Sequence, residues 1–105
     1  MKYMAVFMTA SSGKEAEKIA DALVDAKAAA CVNIIPRVKS VYAWKGRKET
    51  SQEYLLIAKT SAGNFKRLKS MVKGLHSYDV PEIIGIPISC GNKEYTDWID
   101  EVLKR

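Results

Sequence analysis

Residues able to do chemistry concentrate in two short stretches of this 105-residue chain. The first is His76-Ser77-Tyr78-Asp79-Val80-Pro81-Glu82. It holds the only histidine of the sequence, a side chain that can exchange a proton near neutral pH or ligate a metal. Asp79 and Glu82 flank Pro81, and carboxylates beside an imidazole are one way to assemble general acid–base groups. Acids in a turn more often serve solvation. Tyr78 is expected to pack its ring at a cleft and hydrogen-bond its hydroxyl. A single histidine rules out a multi-histidine metal site within one subunit, and zinc-type spacing is missing.

The second stretch is Ser11-Ser12-Gly13-Lys14, which superficially matches a phosphate loop. A P-loop places glycine where Met8 stands and Ser or Thr where Glu15 stands. The stretch reads instead as a helix cap, able to hold an anion weakly. Ser, Cys and His residues form no recognisable nucleophile motif. The sequence therefore predicts no enzymatic activity and no required cofactor. Cys31 and Cys90 do not form a CxxC pair and are expected to be buried free thiols.

Length and composition bound the elements that must position these residues. A chain of 105 residues makes one domain, residues 1–105, and 48% hydrophobic content is ordinary for a globular protein. No apolar run approaches the roughly 18 residues that span a bilayer. Lys2 precedes the apolar run Tyr3–Met8, which is shorter than most signal-peptide h-regions and lacks an A-x-A site. It is expected to be a first strand, and the protein to be cytoplasmic. The net charge of +5 invites a nucleic-acid reading, yet acids and bases are interspersed. Lys14, Glu15, Glu17, Lys18, Asp21 and Asp25 read as one solvated helix face.

Residues 3–9 read as a short buried strand. Ser12 and Glu15 then form an S-x-x-E capping box. The helix that follows puts Ala16, Ile19, Ala20, Leu23 and Ala26 on one stripe. Residues 31–45 read as a long strand in which Val32, Ile34 and Val38 share one phase and Val41 and Ala43 take the other. Pro36, which has no N–H, marks a bulge or an edge between them. Residues 46–49 are the predicted turn and Glu53–Thr60 the returning strand. A helix carrying Phe65, Leu68, Met71, Val72 and Leu75 comes next, then a strand over 83–89. Asn92 caps a last helix with Tyr95, Trp98, Ile99 and Val102 on one face. The order β-α-β-β-α-β-α predicts the split β-α-β, ferredoxin-like α/β arrangement.

The second strand is too long for the sheet. Fifteen residues reach about 50 Å and the first strand only about 23 Å, at about 3.3 Å per residue. Roughly half of the hairpin must project as an arm carrying Val41, Tyr42, Trp44 and Tyr54. An isolated ribbon is marginal in water and an aromatic edge invites pairing, so burial against another subunit is expected. Tyr42, Trp44, Lys45, Arg47 and Lys48 also mix rings with charge, as nucleic-acid binders do. The RNA-recognition signature is missing, and Trp44 is better read as an interface anchor.

Several of these stretches, in this order, resemble the CutA divalent-cation-tolerance family along nearly the whole chain. They are Ala29-Ala30-Cys31-Val32-Asn33-Ile34-Ile35-Pro36, the S-x-Y-x-W-x-G pattern formed by Ser40, Tyr42, Trp44 and Gly46, Glu53 with Lys59-Thr60, and Tyr95 with Trp98. The segment 76–83 is similar to the family's H-P-Y-E-V-P-E-I, departing at Ser77 and Asp79. The resemblance implies a homotrimer whose arms pair with neighbouring subunits, and a non-enzymatic role in tolerance of divalent cations, notably copper. Val41, Tyr42, Trp44 and Tyr54 would then be interface residues, and Tyr78, Asp79 and Glu82 cleft or ligand residues. The family's copper-binding members carry a cysteine and a His-His pair at positions matching Met8, Leu75 and His76. Only His76 is retained, and it is the candidate metal ligand. Likeness to the PII signalling trimers implies ligand sensing as an alternative. No nucleic-acid or membrane partner is expected.

Overall fold

A computed structural model describes residues 2–104. The elements are β1 (Tyr3–Ala10), α1 (Gly13–Asp25), β2 (Cys31–Trp44), β3 (Arg47–Ser61), α2 (Phe65–Leu75), β4 (Ile83–Pro87) and α3 (Lys93–Leu103), with a 3₁₀ turn at Ala62–Asn64. The predicted order holds. The sheet runs β2-β3-β1-β4 with every neighbouring pair antiparallel, which is the ferredoxin-like arrangement.

Directly paired residues share a face, so the register sorts the side chains. One face carries Val6, Met8 and Ala10 of β1, Val32 and Ile34 of β2, and Leu56 and Ala58 of β3. Helix α1 covers it with buried Ala16, Ile19, Ala20 and Leu23, and α2 with buried Leu68 and Val72. These residues form the core. Ala26 leaves the expected stripe and caps α1, because the helix ends one residue earlier. Arg67 lies half-buried and donates from Nη2 to the Ala26 carbonyl at 2.9 Å. Phe65 packs over Gly85, where a Cβ would come within 2.9 Å of its ring.

The opposite face carries Ala5, Phe7 and Thr9, then Leu55 and Ile57, then Ile84 and Ile86. Only α3 packs there, at the end marked by Tyr3, whose hydroxyl donates to Asp100 at 2.7 Å. Asn92 caps α3 as expected, its Oδ1 accepting from the Glu94 N–H. Ile99 is buried, while Tyr95 and Trp98 remain about two-fifths exposed. Ile84 is 52% exposed and Ile86 44%.

Two boundaries differ from the sequence reading. The hairpin turn is Lys45-Gly46 alone, with φ of 51° and 76°, not 46–49. Two left-handed residues make a type I′ turn whose twist matches the strands, so pairing begins at once with Arg47↔Trp44. Strand β4 ends at Pro87, two residues before the predicted end, although the Ile88 N–H still donates to the Tyr3 carbonyl at 3.0 Å. The arm is longer for the first reason. Pairing of β1 with β3 ends at Ala10↔Tyr54, and residues 47–53 project with 38–44. Tyr54 therefore does not belong to the arm, since it is registered against β1. The thiols are free, as expected, but not both buried: Cys31 is half-buried and Cys90 exposed.

Candidate functional site

The site begins with the bulge in β2. Ile35 pairs with Leu55 and Val38 with Glu53, so Pro36 and Arg37 oppose Tyr54 alone. Pro36 cannot donate to the ladder, and Arg37 takes a left-handed φ of 62°. An extra residue inverts which side chains face which way. Before the bulge the odd residues of β2 lie on the open face; beyond it Tyr42 and Trp44 do, together with Thr9 and Glu53. Val41 falls on the arm's reverse side. Tyr54 lies on the helix-covered face, its ring 3.2 Å from a Cβ built on Gly13.

The opposing wall is the connection between α2 and β4, and three hydrogen bonds place it. The His76 side chain is fully buried. Its Nε2 lies 2.6 Å from the Thr9 carbonyl, and the Tyr78 N–H donates to its Nδ1 at 3.0 Å. A carbonyl can only accept, so Nε2 carries the proton and the ring is neutral. Glu15 holds the next link. In a capping box its carboxylate would return to the Ser12 N–H; here Ser12 Oγ does accept from the Glu15 N–H. The carboxylate instead accepts from the N–H and hydroxyl of Ser11 and from the Ser77 N–H at 2.8 Å. Burial acts to raise its pKa, but these donors outweigh burial and hold it at about 2. Glu15 is thus a tether and not part of a solvated face.

Tyr78 completes the relay. Its ring lies 4.7 Å from that of His76, and its hydroxyl donates to Glu53 Oε2 at 2.8 Å. Burial, and then the Glu53 carboxylate, push the phenol up to about 12, so it stays a donor. Between the two walls is an open cleft of about 340 Å³. Tyr42, Trp44 and Tyr78 supply rings, and Glu53, Asp79 and Glu82 supply carboxylates. Burial and, after it, the charge of Glu53 raise the pKa of Glu82.

The structure thus gathers Tyr42, Trp44, Tyr78, Asp79 and Glu82 around one cleft, with His76 behind its wall. As arranged, the imidazole offers a metal ion no free nitrogen. Met8, at the matched copper position, is a core residue 1% exposed. Among the described residues no three His, Cys, Asp or Glu side chains are grouped to hold a metal. Sequence reasoning missed Glu53 and Glu15 as site residues. Glu53 left a signal: it continues the phase of the apolar pair Leu55 and Ile57 with an acid. It is 7% exposed.

The geometry can be set beside known proteins. A family model described as the CutA1 divalent ion tolerance protein matches residues 4–102. The divalent-cation tolerance protein CutA of Thermus thermophilus is 49% identical over 96 residues, covering 91% of this chain and 93% of its own. A solved structure of a protein described as the periplasmic divalent cation tolerance protein CutA of Archaeoglobus fulgidus superposes with a TM-score of 0.95 at 44% identity, over 97% of this chain and 99% of that one. CutA from Xylella fastidiosa gives a TM-score of 0.96 at 35% identity, over 99% and 100%. The exposed arm, nearly all of the sheet and the segment 76–83 lie within the matched region, and the chain belongs to the CutA1 divalent-ion tolerance family.

Proposed function

We propose that this chain acts in divalent-cation tolerance as a non-enzymatic homotrimer, with its cleft near the subunit boundaries and open to a metal ion or a small ligand. The observation that carries the reading is the uncovered apolar surface. Ile84, Ile86 and Ile35 on the open sheet face are each at least 40% exposed, and so are Tyr42 and Trp44 on the same side of the arm and Val41 on its reverse. Exposed apolar surface of this extent marks an interface, and an arm of two strands needs a neighbour to be stable. Three is the number that the family resemblance names.

Copper is the metal that the resemblance names. His76 can ligate it only by giving up its bond to Thr9 or to Tyr78. The more accessible donors are the oxygens of Glu53, Asp79 and Glu82, which suit harder cations. A PII-like ligand-sensing role is favoured by the cleft volume of about 340 Å³, within the range of small-molecule sites.

Gel filtration with light scattering is expected to give about 35 kDa, three times the 11.7 kDa chain. A clean monomer overturns the trimer. Calorimetric titration with Cu(II), and with Cu(I) under reduction, tests the metal. Affinity unchanged in His76→Ala removes that residue from the site, and no heat with wild type removes copper altogether.

A further inference from the structure

The charge in the cleft is sorted. Over the chain 17 Lys and Arg outnumber 12 Asp and Glu, yet the charged side chains lining the cleft are all carboxylates. Among the described residues, none of the three takes part in a salt bridge. Glu53 is more than nine-tenths buried, and the hydrogen bond from Tyr78 is the one its carboxylate receives among the described residues. A buried carboxylate with no counter-ion is costly, so a cation from outside would relieve it. A metal ion is a poor candidate for that cation, because among the described residues no three-ligand group exists there. The volume of about 340 Å³ also equals some eleven waters at about 30 Å³ each, much more than an ion fills. Three aromatic rings around a carboxylate suit a weakly hydrated cation carried on carbon, which gains from both the ring faces and the charge.

We propose that this cleft binds a small organic cation, its alkylammonium group against the Tyr42 and Trp44 rings and facing Glu53. The inference rests on the reading of the cleft as a ligand site and names the ligand class. A free ammonium or metal salt would leave the rings unused, and an anion would meet three carboxylates.

The test uses the full chain carrying Trp98→Phe, so that Trp44 is the sole tryptophan reporting. Tetramethylammonium chloride and 1,4-diaminobutane are titrated against Trp44 fluorescence, with sodium chloride at matched ionic strength. Saturable quenching with a Kd of about 1–10 mM is expected for a fragment of this size. Glu53→Gln keeps the shape and the Tyr78 hydrogen bond and is expected to weaken binding at least about tenfold. Glu82→Gln, at the exposed rim, keeps the test alive if the first variant misfolds, with a loss of about threefold. Trp44→Leu, read by calorimetry, is expected to lose about fivefold. A response equalled by sodium chloride, or undiminished in the glutamine variants, overturns the proposal. Saturable binding of Cu(II) or Mn(II) without any response to the ammonium probes overturns the organic cation and leaves the cleft reading standing. No response to metals or ammonium overturns both.

Discussion

Glu15 is expected to contribute more to stability than any other acid on the surface of α1, and its contribution has a pH signature. The perturbation is Glu15→Gln. The wild-type carboxylate accepts from the Ser11 N–H at 2.9 Å, the Ser11 hydroxyl at 3.0 Å and the Ser77 N–H at 2.8 Å. A carboxyl titrating at about 2 when folded and near 4.5 when unfolded contributes about 3 kcal/mol at neutral pH. Hydrogen bonds to a charged acceptor, at about 1.5–3 kcal/mol, give the same scale. The side chain is only 11% exposed, so screening by solvent takes little from it. The folded pKa is depressed, so the contribution is complete above pH 4.5 and is lost as the pH falls through about 2. Urea unfolding of both proteins at fixed chain concentration, between pH 2 and 7, reads the difference. The variant is expected to be about 2–3 kcal/mol less stable at pH 7, with the two curves converging towards pH 2. Curves that stay parallel across that range refute the assignment of Glu15 as the tether of residues 76–78.

Other consequences of the structure can be measured separately. Lys45→Asn places a residue tolerant of positive φ at the first position of the type I′ turn, and is expected to raise stability by about 0.5 kcal/mol in denaturant unfolding. Gly85→Val drives a branched side chain into Phe65 and Met4, and a loss of about 2 kcal/mol is expected in the same assay. Ile84→Lys puts a charge on the open sheet face in the edge strand β4, and is expected to shift the gel-filtration mass towards the 11.7 kDa monomer while leaving the circular dichroism intact. An unchanged mass would place the subunit interface elsewhere.

Much of the fold was legible because its signals are local. The stripe from Ala16 to Leu23 repeats at the helical period, and Ser12 and Asn92 cap helices through atoms two or three residues away. The excess length of β2 over β1 follows from counting residues, and Pro36 announced the phase change by lacking an N–H. The turn was misplaced because Lys45 is an uncommon residue at positive φ. Its conformation is set by the pairing of the arm and not by its own preference.

The site obeys a different logic. His76–Pro81–Glu82 was visible as a cluster of chemical groups, but what those groups do depends on partners far away in sequence. Tyr78 meets Glu53 across 25 residues, Ser77 meets Glu15 across 62, and His76 meets Thr9 across 67. Such pairs leave no periodicity to read. By itself, then, the sequence determined the element order, the caps and the overlong hairpin, because each arises from neighbours along the chain. Only the tertiary structure decided that the bulge turns Tyr42 and Trp44 onto the face of Glu53, and that His76 is a neutral strut behind the cleft wall. Those outcomes depend on register and on burial, which exist only once the strands are paired.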